Sequence, residues 1–309
     1  MRHATTPRGV SVTDMEIAPR QFGDSLDAWF RLLGRNWRAL LLSSLMVHIP
    51  LGVVVMFLFW MTGAAEHFEL YVDPSLEELP AEEIIEALIP LMWTVGIWTV
   101  LQIPAGVFVY LAAVRTVAGD TADTPFATGD VGRFAALRTS TGVAWALLVV
   151  VASLFLVGAT GAIGWALIAA GGTNFLTVFV TTVSALTALI VLIWLGLSLS
   201  FGLAVIAVEG PGIAHAVTRS FTLVQGRWWI TLCFVALTGI IVSVASQVIS
   251  VVLIPVFLVG VFVPEVLALG FGVSVALQGP VLAATAAAYA IWYIDLRARR
   301  ETLLADQLV

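Results

Sequence analysis

The chain has 309 residues, of which 60% are hydrophobic and 11% charged, with a mean hydropathy of +1.03 and a net charge of −6. Soluble domains carry about 25% charged residues, so lipid must solvate most of this chain, and the acidic balance is no footprint for nucleic acid. The one cysteine, Cys233, lies in an apolar run, which excludes a disulfide framework and a cysteine-based metal cluster.

Residues 1–21 mix Arg, Thr, Pro and Asp without periodicity and read as a flexible tail. The first apolar run begins near Ala39, behind six arginines, so the first span is expected to act as an uncleaved anchor rather than a cleaved signal. Residues 24–38 are amphipathic. Leu26, Trp29, Phe30, Leu33 and Trp37 make an apolar stripe, and Asp27, Arg31, Arg35 and Arg38 face away. Span 1 covers about 39–61, close to the roughly 20 residues that cross a bilayer core, with His48 and Pro50 in its middle. Loop 63–87 holds eight acids and no arginine, and Ser75-x-x-Glu78 within it resembles a capping box. Glu82, Glu83 and Glu86 suit the positive end of the next helix. Span 2 covers about 88–114, with Pro104 inside. The polar stretch 115–142 carries Arg115, Arg133 and Arg138, and its later part is a poorer amphipathic segment. Span 3 (143–169), a tight turn at 171–174 and span 4 (176–208) follow.

Residues 209–229 form a half-polar segment between two long apolar ones. Pro211 suits the first turn of a helix. Ile213, Val217, Ser220 and Val224 recur at helical spacing, while His215, Arg219 and Thr222 fall opposite. Gly226 can end this helix, and Arg227, Trp228 and Trp229 follow. The pattern predicts an amphipathic elbow helix along a membrane surface, with aromatic and arginine anchors at headgroup depth. Span 5 (228–259), a turn (260–265) and span 6 (266–294) complete an all-α polytopic membrane domain bounded at 22–297, with 298–309 as a second tail.

All 14 basic residues are arginines, and they fall in the N-terminal tail and first elbow, the 115–142 loop, the 209–227 elbow and the C-terminal tail. The alternate loops contain none. By the positive-inside rule this partition predicts six transmembrane helices with both termini cytoplasmic.

An internal repeat is expected as well. Phe30-Arg31-Leu32-Leu33-Gly34-Arg35-Asn36-Trp37 is matched by Phe221-Thr222-Leu223-Val224-Gln225-Gly226-Arg227-Trp228, and each leads into a span. Leu101-Gln102-Ile103-Pro104 is echoed by Leu277-Gln278-Gly279-Pro280. The unit is an elbow helix plus a helical hairpin, used three times at about 22–115, 128–208 and 209–297.

Chemistry inside a membrane usually shows as an ionisable residue in mid-span. The spans hold no Asp, Glu, Arg or Lys, and His48 is the only such group apart from Cys233. His48 reads either as a proton or ligand site beside Pro50 or, with more weight, as a neutral imidazole bonded to a neighbouring helix. Gln102 and Gln278 either satisfy carbonyls freed by the prolines or line a polar cavity. Glu66, His67, Glu69 and Asp73 are spaced too loosely for a cation site to outweigh a solvated acidic loop. Phosphate-loop, zinc-protease and serine-elbow motifs are absent. No cofactor is implied, no metal site is expected and no enzyme activity is read.

Glu209-Gly210, Ala216-x-x-Arg219-Ser220-x-x-Leu223-x-x-Gly226-x-x-Trp229 and the closing Tyr293-x-Asp295-Leu296-Arg297-x-Arg299-Arg300-Glu301 resemble the stand-alone glycerophosphoryl diester phosphodiesterase membrane domain. The elbow at 24–41 fits the same family. The resemblance implies a six-span domain of a bacterial inner membrane. In the enzymes that name the family this region precedes a soluble catalytic barrel, and no region here is polar enough to be one, so the enzymatic name does not carry over.

The leading expectation is a non-catalytic membrane scaffold or accessory subunit. It would dock membrane lipids or another membrane protein through Arg31, Arg35, Arg38, Arg133, Arg138, His215, Arg219 and Arg227. The alternative is a translocator or binder of a lipid or amphiphile, using His48, Gln102 and Gln278 at mid-membrane.

Overall fold

The computed structural model describes residues 17–64, 81–210 and 212–301. The Ser75 capping box, the Glu66–Asp73 acidic set, Pro211 and most of both tails lie outside the described residues. The described helices are α1 (Phe22–Met61), α2 (Ala81–Thr121), α3 (Thr128–Gly171), α4 (Phe175–Leu199), α5 (Gly202–Val208), α6 (Ile213–Val224), α7 (Trp228–Gly260) and α8 (Pro264–Ala298). Six stretches, with α4 and α5 counted as one, are long and apolar enough to cross a membrane. Glu82 falls in the first turn of α2, where the helix dipole favours a carboxylate.

Two of the three expected elbows are not separate helices. Residues 24–38 run straight on into span 1 as a single helix of 40 residues. At 1.5 Å per residue that is about 60 Å, against a hydrocarbon core of about 30 Å. Gly34 is the sole breaker in the stretch, and one glycine costs a helix only about 1 kcal/mol. Residues 128–142 likewise continue into span 3 within the 44 residues of α3. Only the third elbow is set off as its own helix. There α6 stops at Val224, and Gly226 takes φ +77°, a left-handed turn that a side chain would strain.

Span 4 is interrupted at Ser200 and Phe201. The exposed backbone is satisfied by other helices, as burial requires. The Ser220 hydroxyl donates to the Ser198 carbonyl at 2.6 Å, and the Tyr110 hydroxyl reaches the Ser200 carbonyl at 3.4 Å. Gly202 lies directly under the Trp145 indole, where a Cβ would come within 1.9 Å of the ring.

Helix α8 is the axis of the bundle, packed on α1, α2 and α7. A run of alanines at 283, 286, 287, 288 and 290 lets neighbours close on it, and all are buried. It meets α1 where Gly52 faces Gly272, so closely that a Cβ on Gly52 would sit 2.3 Å from the Gly272 carbonyl oxygen. Trp29 Nε1 donates to the Ala284 carbonyl at 2.9 Å along the same contact. The larger core joins Trp29, Phe201, Phe234 and Trp292 near the arginine-bearing helix ends, with Phe234 and Trp292 stacked at 4.4 Å. A smaller core around Val55, Phe59 and Leu267 lies towards the other end of α1 and α8. In contrast, none of the most apolar stretch of α3 and little of that of α7 is buried. Phe155, Trp165, Phe175 and Val252 point outward, which is stable where lipid is the solvent.

Candidate functional site

The arginine-bearing helix ends converge on a carboxylate that sequence spacing did not single out. Glu209 follows the last turn of α5, and its side chain is only 12% exposed. Tyr293 on α8 donates its hydroxyl to Glu209 Oε1 at 2.8 Å. From α6, Arg219 Nε lies 3.0 Å from both carboxylate oxygens, and His215 Nε2 is 3.1 Å from Oε2. Arg297 Nε stands 3.7 Å away. Glu301 completes the set, accepting from Arg219 Nη2 at 2.7 Å and from Arg297 Nε. Two carboxylates thus share two guanidiniums, which makes burial of all four charges tolerable.

The electrostatics follow from this geometry. Burial alone would raise the Glu209 pKa. The hydrogen bonds from Tyr293, Arg219 and His215, with the Arg219 charge, reverse that and hold it below the ordinary glutamate value. Burial likewise opposes the charge on Arg219, and the two carboxylates overcome it, so its pKa is raised. The arrangement clamps the elbow helix α6 to the end of α8.

A second latch lies beside it. The buried Asp295 carboxylate accepts from Arg299 Nε at 2.7 Å and from the Arg20 backbone N–H, while Arg299 also donates to the Arg20 carbonyl. The segment before α1 is thereby tied to α8. Asp120, at the end of α2, accepts from Asn36 at 2.8 Å and pairs with Arg35 at 3.3 Å.

The expected surface residues divide into engaged and displayed groups. Arg219 is consumed by the clamp. Arg138 donates to the Ile206 and Ala207 carbonyls, the latter at 2.8 Å, and so caps the C-terminal end of α5. Its guanidinium also lies over the Phe134 ring, as does that of Arg115. His215 is half-exposed at the edge of the clamp. Arg31, Arg35, Arg38 and Arg133 are exposed, and Arg227 is partly so. Phe30, Trp37 and Trp229 sit exposed beside them.

At mid-membrane His48 is buried on α1. Its Nδ1 lies 3.2 Å from the Ser44 carbonyl and must donate there, which leaves Nε2 as the acceptor for Gln102 Nε2 at 3.3 Å. Gln102 therefore bonds the histidine, not a carbonyl freed by Pro104, and its Oε1 is buried without a partner. Gly279 packs closely on His48, where a Cβ would come within 2.8 Å of the ring. Gln278, one residue away, is exposed on the surface of α8 and is not brought to Gln102. Among the described residues no group of three or more His, Cys, Asp or Glu side chains gathers to hold a metal ion.

Spacing pointed to Arg219 and His215 but not to Glu209, Tyr293, Arg297 or Glu301. Arg297 and Glu301 stand only four apart, but the pairings that bring them and Tyr293 to the elbow, Arg219–Glu301 and Tyr293–Glu209, span 82 and 84 residues of sequence, beyond any local pattern. The one available signal was the pair of patches carrying the family resemblance, and the clamp joins those two patches. No protein-family model, curated protein or solved structure matches the chain.

Proposed function

We propose that this chain is a non-catalytic integral membrane scaffold or accessory subunit that holds anionic lipid or an acidic partner surface against its arginine-bearing end. One observation carries the reading. The buried charges at that end are spent on locking α5, α6 and α8 together, while Arg31, Arg35, Arg38 and Arg133 are displayed outward beside exposed Phe30 and Trp37. A rigid basic surface with aromatic anchors suits the anionic inner leaflet. On this reading the arginine-bearing end and both termini are cytoplasmic, and the protein sits in a bacterial inner membrane. The three elbow-and-hairpin units are copies of one ancestor, and the chain is a stand-alone relative of the glycerophosphoryl diester phosphodiesterase membrane domain. The contact between the two resembling patches supports that kinship.

Passage of an amphiphile through the bundle is the second reading, and the unpartnered Gln102 Oε1 is what favours it. The close packing of Gly279 on His48 and of Leu282 on Gly106 favours a closed scaffold instead. The test is extraction of the full chain in native nanodiscs, with identification of co-purifying proteins and retained lipids. The proposal expects a protein at stoichiometric yield or enrichment of anionic lipid over the bulk membrane. Bulk lipid composition with no protein partner overturns it.

A further inference from the structure

A cavity of about 190 Å³ opens between the segment before α1, the outer face of α1, the end of α2 and α8. At about 30 Å³ per water it has room for about six waters. Its charged lining is Arg20, Arg31 and Arg35 against a single carboxylate, Asp120, with Leu32 and Ile291 at the apolar side. We propose that this cavity is a binding site for a phosphoryl group, presented either by an anionic phospholipid headgroup or by free phosphate. This rests on the reading of the arginine-bearing end as a docking surface and gives it a location.

Several observations converge on that ligand. Arg20 is held by its backbone, through Asp295 and Arg299, and among the described residues no hydrogen bond or ion pair engages its guanidinium. Arg35 spends only part of its fork on Asp120 and remains 67% exposed. Among the described residues no hydrogen bond or ion pair engages the Arg31 side chain. Three forks from two chain segments match the several acceptor oxygens of a phosphoryl group, which guanidinium recognises bidentately. Burial lowers the Arg20 pKa and the nearby Arg31 charge adds to this, while Asp295, Asp120 and Asp24 oppose it without reversing it. A bound anion would relieve that repulsion. Exposed Phe30 and Trp37 flank Arg31 and Arg35 on α1, at 51% and 52%, as residues at headgroup depth do.

The experiment compares the full-length protein with an Arg31→Gln/Arg35→Gln variant and an Arg300→Gln control, whose exposed arginine lies outside the cavity lining. In one arm each is exchanged into phosphatidylethanolamine nanodiscs with or without phosphatidylglycerol, and lipid retained after release is counted by native mass spectrometry. In the other arm inorganic phosphate is added in detergent and thermal unfolding is followed. The lipid source predicts tight phosphatidylglycerol on the wild type and the control, with at least about tenfold less on the double variant, and no phosphate effect. The free source predicts phosphate stabilisation of wild type and control that the double variant lacks. Asp120→Asn, which removes the competing carboxylate, strengthens retention under either source. Indistinguishable behaviour of wild type and double variant in both arms overturns the site, as does an equal loss in the control. If the wild type captures lipid or a partner but the double variant matches it, only this site fails. Capture of neither by the wild type removes the docking reading itself.

Discussion

Glu209→Gln isolates the clamp. The substitution keeps the shape of the side chain and can keep the hydrogen bond from Tyr293, but it puts an amide N–H₂ where Arg219 and His215 both present donors. Removing one partner of a buried ion pair costs about 3–5 kcal/mol. Glu209 qualifies as buried at 12% exposure, and its two arginines are 19% and 11% exposed. The cost is discounted because Glu301 remains 2.7 Å from Arg219; about 2–3 kcal/mol is expected. For a chain of this size each kcal/mol moves the unfolding midpoint by about 2–4 °C, so the midpoint should fall by about 4–12 °C. Fluorescence-detected size-exclusion of heated samples in mild detergent measures it. A double-mutant cycle with Arg219→Gln should return a coupling of about 1–3 kcal/mol. A midpoint within about 1 °C of wild type, or simple additivity in the cycle, would refute the claim that this network holds α6 to α8.

The same carboxylate sets a pH dependence. Its folded pKa lies below the ordinary 4.5, so its stabilisation is complete above that value and is lost as pH falls through the depressed folded one. The midpoint gap between wild type and Glu209→Gln should therefore narrow on acidification below pH 4.5 and stay constant above it, in a pH series of the same assay. At the α1–α8 crossing, Gly52→Leu forces the backbones apart and should cost about 1–3 kcal/mol or more. Gly34→Ala, with open space around it, should be neutral or gain up to about 1 kcal/mol. Arg138→Met leaves the last carbonyls of α5 without their cap and should cost about 1–3 kcal/mol. All three are read from detergent unfolding curves.

The spans were legible because lipid imposes a length and an apolar composition, and each long run in the sequence falls within helix, span 4 with one break and spans 1 and 3 extended at their starts. Elbow geometry was less so. Amphipathicity at 24–38 marked which faces differ, but whether the chain turns before the span depends on a breaker. Gly34 sits within continuous helix, whereas Gly226, at φ +77°, occupies a turn. The interruption of span 4 was hidden because the residues that satisfy its carbonyls, Ser220 and Tyr110, come from other helices. Of the expected surface residues, Arg31 and Arg133 are displayed, while Arg138 and Arg219 are engaged. Spacing could not separate these cases, since their partners lie 10 to 82 residues away. His48 was legible as the polar oddity of span 1, but its partner Gln102 is 54 residues on.

The sorting of arginines to one side of the bilayer underlies the whole account, and single-cysteine labelling tests it directly. In a Cys233→Ser background, Gly129→Cys and Thr124→Cys report the arginine-bearing end, and Thr173→Cys and Phe262→Cys report the opposite turns. With a membrane-impermeant thiol reagent on intact cells, Thr173→Cys and Phe262→Cys should label, and the other two should label only after permeabilisation. Labelling of Gly129→Cys or Thr124→Cys from outside, with protection of Thr173→Cys, would contradict it.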